Sequence, residues 1–202
     1  MFDRQQETPT ASRNIFHAMK EKIFQAELID GARALKMHVV NLLNGVVDPE
    51  GRWNVRKPYD LGLVYQGRYA GLELKQVRSG NTLAMSKIES HQFMALQNCA
   101  ANGGLAFIVI NFRMTFTPKQ ANHYGVPRIN QTWAVPITHW KYSASISIND
   151  LRDTGCPYPQ LPHCHVYKPA DSGNLRMVPG GLMAPGKKQA WNPRPLFEEA
   201  AC

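Results

Sequence analysis

Pro58-Tyr59-Asp60-Leu61-Gly62-Leu63-Val64-Tyr65-Gln66-Gly67-Arg68-Tyr69-Ala70-Gly71-Leu72-Glu73-Leu74-Lys75-Gln76-Val77 contains two strand-like runs, 59–65 and 68–77. They meet at Gln66-Gly67, a turn signal, and so read as a β-hairpin. Side chains alternate across a strand, so Leu72 and Leu74 share one face and Glu73 and Lys75 the other. The leucines face a core and the charged pair faces a cleft. In a hairpin turning at Gln66-Gly67, Asp60 lies opposite Glu73, at a cross-strand distance of roughly 5 Å. Two carboxylates that close raise each other's pKa unless a cation sits between them. A hard oxygen site of this kind suits Mg²⁺ or Mn²⁺. The Lys75 ammonium beside it can orient an attacking water and stabilise developing negative charge. Together these parts make a phosphodiester hydrolase. Glu-x-Lys alone arises by chance in about half of chains this long; the Asp in register on the paired strand is what separates this one from a solvated strand face.

Upstream, residues 1–11 read as a loose lead-in. A helical pattern starts at Ser12, a suitable N-cap, with Ile15, Met19, Ile23, Phe24, Leu28, Ala32 and Leu35 at spacings of three and four. Gly31 either ends this helix or weakens it. Residues 37–43 read as a first strand, closed by Asn44-Gly45, and 48–58 as a loop or short hairpin. Downstream, 78–87 is a polar loop. Ile88 to Ala101 is a helix stopped by Asn102-Gly103-Gly104. The apolar run Leu-Ala-Phe-Ile-Val-Ile-Asn-Phe, 105–112, is a strand covered on both faces. A further strand is expected near 132–137. The order predicts an α/β fold with a mixed β-sheet flanked by helices.

Eight of the 14 prolines lie beyond Gly155, which marks 154–202 as an irregular tail or arm after a domain spanning 12–153. Cys156, His163, Cys164 and His165 in this tail invite a zinc reading, but three of them are consecutive and rarely reach one tetrahedral ion together. A Pro-rich surface loop is the simpler reading.

The chain has 202 residues and a formal charge of +8. That excess favours a polyanionic partner without identifying one. No secretory signal and no run long enough to span a bilayer is visible, so the expected compartment is the cytoplasm, with no membrane partner. Four irregularly spaced cysteines are expected to be reduced.

Pro58-x-Asp60 followed by Glu73-Leu74-Lys75 resembles the core of the PD-(D/E)XK nucleases. The continuation is more specific. Asn81-Thr82, Glu89-Ser90-His91-Gln92, the Gly103-Gly104 strand, Trp133-Ala134-Val135-Pro136-Ile137 and Ser145-Ile146-Ser147-Ile148 look like the RecU-type Holliday junction resolvases and their phage relatives. The resemblance spans about Ser12 to Leu151.

It implies a restriction-endonuclease-like core and a homodimeric endonuclease of DNA recombination and repair, cutting four-way junctions with Mg²⁺ or Mn²⁺, two ions per site. Asp60 and Glu73 would be metal ligands with the Leu74 carbonyl. Lys75 would orient water, and Gln92 would help place Lys75, the water or the scissile phosphate. The family often adds a carboxylate from the first helix; Glu27 is the first choice and Glu21 the alternate. Either residue also fits an ordinary exposed helix position. His91 points away from Gln92 and reads as packing or a phosphate contact. Arg56, Lys57, Arg68, Arg78 and Lys87 flank the cleft as candidate DNA contacts. RecU-type resolvases carry a long insertion before the core hairpin, where this chain has only 44–57, and the tail lies outside the family pattern. Both departures leave open a nuclease of other specificity (nickase, flap or restriction type) or a non-catalytic DNA-binding module.

Overall fold

The computed structural model describes residues 9–40, 42, 57–124, 126–140, 145–153, 158–168, 174–179 and 187–198. In chain order the elements are α1 (Pro9–Ala34), β1 (His38–Val40), β2 (Leu61–Tyr65), β3 (Arg68–Val77), β4 (Thr82–Ala84), α2 (Ser90–Ala101), β5 (Leu105–Thr115), α3 (Pro118–Tyr124), β6 (Arg128–Pro136), β7 (Ser145–Ser147), α4 (Ile148–Arg152), β8 (Gln160–Leu161), β9 (His163–Tyr167), β10 (Arg176–Pro179), β11 (Lys188–Trp191) and α5 (Pro195–Glu198).

A six-stranded mixed sheet in the order β1-β2-β3-β5-β6-β8 organises the molecule. All its neighbours are antiparallel except β3 and β5. That parallel pair needs a crossover, which α2 supplies. Because strand side chains alternate, the sheet has two apolar faces. One carries Ile108, Ile110 and Phe112 of β5 with Trp133 and Val135 of β6, packed with Phe93 and Leu96 of α2. The other carries Leu72 and Leu74 of β3 with Phe107 and Val109 of β5, packed with Phe24, Leu28 and Ala32 of α1. The sequence-predicted mixed sheet flanked by helices is the observed architecture.

The hairpin turns where its sequence says it should. Tyr65 pairs with Arg68, and Gln66 and Gly67 both take positive φ, 49° and 76°. Two left-handed residues make the tight turn whose twist matches the flanking strands. Leu61 pairs with Leu72, so Asp60, immediately before β2, stands opposite Glu73.

Several expectations change. The first helix begins at Pro9 rather than Ser12, so residues 9–11 of the expected lead-in are helical and the rest of it lies outside the described residues; proline fits a first helical turn, where its missing N–H is not needed. Gly31 does not end the helix, which continues to Ala34. A Cβ on Gly31 would sit 1.9 Å from the Trp191 carbonyl oxygen, so glycine is there for a close approach of helix to strand. The first strand is only His38–Val40. The polar loop after β3 contains β4, which pairs with β7. Helix α2 starts at Ser90, not Ile88, and α3 is an unexpected helix.

The largest correction concerns the tail. Residues expected to be irregular form β8 on the main sheet, a three-stranded sheet β10-β9-β11, and α5. Leu161, Trp191, Leu196 and Phe197 enter the α1-side core. This segment is therefore a structural layer over α1.

Candidate active site

Strand β3 outlasts β2. Its last β2 pair is Leu61–Leu72, and Asp60 then closes the ladder in two ways. Its amide donates to the Leu72 carbonyl at 3.0 Å, and its Oδ2 accepts from the Leu74 amide at 2.9 Å. The even-numbered backbone groups of β3 thus face the β2 side, and the Leu74 carbonyl belongs to the same edge as the Asp60 carboxylate. From α1, Gln25 Nε2 donates to the Asp60 carbonyl at 3.1 Å, which fixes the residue from behind. Lys57 Nζ lies 3.7 Å from Asp60 Oδ1.

Glu73 is fully buried while the Asp60 side chain remains 30% exposed. Lys75, two residues on along the same face, places Nζ 2.5 Å from Glu73 Oε1. Glu73 Oε2 is buried with no hydrogen-bond partner. Burial first, and then the Asp60 charge, push the Glu73 carboxyl up to about 7, against the lowering influence of Lys75. An orphaned buried carboxylate oxygen is costly unless something positive meets it. Two carboxylates and a carbonyl on one strand edge are donors that fit a hard divalent cation. Among the described residues no group of three or more His, Cys, Asp or Glu side chains converges to hold a metal.

Other predicted residues fall elsewhere. Gln92 Oε1 accepts from the Glu89 amide at 3.1 Å, so its side chain caps its own helix. Its spacing from Glu89, a capping-box interval at a helix start, was a visible signal for that role. His91 Nε2 meets the Lys57 carbonyl at 3.2 Å and Nδ1 lies 3.4 Å from Glu89 Oε2, which pins α2 to the segment leading into Asp60.

Glu27 is 9% exposed and lies on the α1 side of the sheet, bound by Arg113 Nη2 at 2.5 Å and Nη1 at 3.3 Å and by Trp191 Nε1 at 3.1 Å. The structure gives it no contact with Asp60 or Glu73. The alternate, Glu21, lies one turn before Gln25 on α1, and its side chain is outside the described residues.

Among the candidate DNA contacts, Arg56 is outside the described residues and Lys57 sits beside Asp60. Lys87 is exposed before α2. Arg68, at the far end of the hairpin, donates to the Phe197 carbonyl at 2.6 Å. Arg78 Nε donates to Gln76 Oε1 at 2.6 Å. Cys156 of the zinc reading is outside the described residues. His163 and His165 share one face of β9 with ring centroids 5.1 Å apart, while Cys164 joins a separate apolar cluster. Alternation along the strand keeps that thiol from the two imidazoles.

The sequence reading missed Gln25 and the polar residues around Arg113. Asn111 was the one available signal, a lone amide in the apolar run of β5.

A curated relative, the Holliday junction resolvase RecU of Lactococcus lactis subsp. lactis (strain IL1403), is 25% identical over 103 residues, 48% of this chain and 42% of the relative. The chain thus spans less than half of that protein's length. A solved structure of Hjc, a Holliday junction resolvase from Archaeoglobus fulgidus, is similar with a TM-score of 0.41 and 12% identity, over 63% of this chain and 88% of that one. The RecU family, described as recombination protein U, matches residues 56–157, a stretch that begins just before the hairpin and runs through α4. The chain belongs to the RecU family.

Proposed function

We propose that this protein is a metal-dependent, structure-selective DNA endonuclease that resolves four-way junctions by phosphodiester hydrolysis. The observation that carries the reading is the buried Glu73 carboxylate, with one oxygen on Lys75, the other without a partner, and Asp60 across the hairpin. Membership of the RecU family and a relative named as a Holliday junction resolvase support the substrate.

Asp60 and Glu73, with the Leu74 carbonyl, would hold a Mg²⁺ or Mn²⁺ ion. When bound, such an ion supplies Lewis acidity and lowers the pKa of its water. Two ions per site would have to share these few donors with DNA phosphate oxygens and water. Lys75, 16% exposed at the side chain, orients the attacking water and offers positive charge to the phosphorane-like transition state. Asp60, tied to β3 through the Leu74 amide, keeps its carboxylate in register with Glu73. Gln25 fixes the backbone behind it. Two symmetric cuts in one junction call for two such sites related by a twofold axis, hence a homodimer.

The test is incubation of the pure chain with labelled four-way, flap and linear duplex DNA, with Mg²⁺, Mn²⁺ or EDTA. Paired cuts confined to the junction and lost in EDTA support the reading. Equal cutting of linear duplex would sink junction selectivity and leave a nuclease of other specificity. Junction binding without cleavage under any divalent ion would point to a non-catalytic module.

A further inference from the structure

A second polar centre lies on the α1 face of the sheet, opposite the carboxylates. Asn111 and Thr132 are fully buried there, at β5 and β6 positions where the neighbours Val109 and Ala134 are apolar. Gln76 Nε2 donates to Asn111 Oδ1 at 2.8 Å. Asn111 Nδ2 donates to Thr132 Oγ1 at 3.0 Å and Asn130 Oδ1 at 3.2 Å. A network of this sort in a sheet costs desolvation and is tolerated when every member is satisfied. Its two ends are guanidiniums. Arg78 Nε is held by Gln76 at 2.6 Å and Arg113 Nε by Asn130 at 3.2 Å.

The two arginines then differ. Arg113 turns its terminal fork onto Glu27. Arg78, among the described residues, has Gln76 as its partner and no carboxylate. Two guanidiniums thus share one carboxylate. Burial, and then the charge of Arg113, lower the Arg78 pKa, with Glu27 opposing. With two guanidiniums to one carboxylate, the cluster carries a surplus positive charge, on a side chain oriented by Gln76. Such a fork matches the oxygens of a phosphodiester. Its place suits one: no described strand pairs with β3 on the β2 side beyond Leu72. Arg78 directly follows β3, about 10 Å of backbone beyond Lys75, with its side chain on the opposite face, so it meets a strand that crosses this open edge.

We propose that Arg78, oriented by Gln76 beside the Arg113–Glu27 pair, binds a backbone phosphate of the DNA strand flanking the scissile phosphate. The inference rests on the nuclease reading and adds a positioning contact that reads no base. Arg113 and Asn111 are its supports.

The test is equilibrium binding of a four-way junction in Ca²⁺, over roughly 50–200 mM KCl, by wild type, Arg78→Gln and Arg78→Lys, with cleavage measured separately in Mg²⁺. Arg78→Gln should weaken binding about three- to tenfold at the middle of that range. It should also lower the slope of log affinity against log salt by about one, equally for different base sequences. Arg78→Lys should keep the slope with part of the affinity. Cleavage at sub-saturating DNA should fall about as far as the affinity does, because a contact made alike in ground and transition states acts through binding. An unchanged salt slope and affinity in Arg78→Gln, with wild type binding normally, overturns the phosphate contact and leaves the nuclease standing. Wild type that binds no DNA overturns both. A cleavage defect at saturation with unchanged affinity assigns Arg78 to the chemistry and also overturns the proposal.

Discussion

Asp60 Oδ2 accepts the Leu74 amide at 2.9 Å, so one carboxylate both ends the hairpin ladder and stands opposite Glu73. Its structural duty and the metal-binding duty proposed for it are separable, because an amide can accept the same hydrogen bond without the charge. The first two predictions use that separation.

Asp60→Asn should keep the Leu74 bond and melt within about 1 kcal/mol of wild type, since one neutral hydrogen bond replaces a charge-assisted one. Junction cleavage should fall by about 10²–10³-fold or more, the scale of losing one preorganised charge at a reacting centre. Asp60→Ala should lose cleavage similarly and also lose stability. Denaturation midpoints and single-turnover rates measure the two effects. Full cleavage by Asp60→Asn would remove Asp60 from the site.

Lys75→Ala should abolish cleavage on the same scale while junction binding persists. It should also worsen the position of Glu73, whose Oε1 loses its ammonium partner at 2.5 Å. A buried carboxylate left unpaired is destabilising, so Lys75→Ala should melt lower than wild type at pH 8. The double variant Lys75→Ala with Glu73→Gln should recover the loss without recovering cleavage. Recovery of activity in the double variant would be incompatible with both roles.

The hairpin and its register were legible because they are local: one turn dipeptide and one alternation set the Asp60–Glu73 pairing. The C-terminal layer was not. Its strands are two to five residues long, too short for a period, and β9 alternates imidazoles with Cys164 and Val166 where the eye seeks apolar against charged residues. What orders them is contact with α1, through Trp191 and Glu27, which are 164 residues apart. The grouping of Asp60, Glu73 and Lys75 in the candidate site was legible, but the residues around it were not. The contacts of Gln25 with Asp60, Arg113 with Glu27 and Thr132 with Asn111 follow only once strand order is known. Glu27 read as a candidate catalytic helix carboxylate, and its observed partners give it structural work on the other face.

Glu73 gives stability a pH dependence in the metal-free protein. Its carboxyl is raised from 4.5 to about 7 in the fold. Between those values the folded state holds a proton that the unfolded state has released. Raising pH therefore favours unfolding: the contribution is full below about 4.5 and is lost as pH passes 7. In EDTA the wild-type melting temperature should decline from pH 5 to pH 8, and Glu73→Gln should flatten that decline. Mg²⁺ should raise the melting temperature more at pH 8 than at pH 5, because the ligand must be ionised. An equal Mg²⁺ effect in Glu73→Gln would exclude Glu73 as a ligand.

Glu27→Ala should act through the C-terminal layer. It strips a carboxylate from Arg113 and from the Trp191 indole, a pair intermediate between exposed and fully buried cases. The expected loss is about 2 kcal/mol, with earlier proteolysis of residues 187–198. At a temperature where the variant is folded, cleavage should remain within a few-fold of wild type. Loss of cleavage with an unchanged melting curve would instead make Glu27 the catalytic helix carboxylate.

Gly31→Ala sets two effects of opposite sign against each other. In an isolated helix, replacing glycine with alanine stabilises by about 1 kcal/mol, and Gly31 lies well inside α1. The new methyl group, however, would stand 1.9 Å from the Trp191 carbonyl oxygen and 2.9 Å from its carbon. Both are backbone atoms of β11, so no rotamer change relieves the overlap; the helix and the strand must part. Overpacking of this kind costs typically 1–3 kcal/mol, and here it also stretches the Trp191–Glu27 bond. The clash should win, leaving Gly31→Ala less stable than wild type by up to about 2 kcal/mol, with the helix gain already subtracted. Urea denaturation monitored by tryptophan fluorescence reads this directly. A gain in stability would mean that β11 does not rest on α1, and the role of Trp191 in holding the C-terminal layer would fall with it.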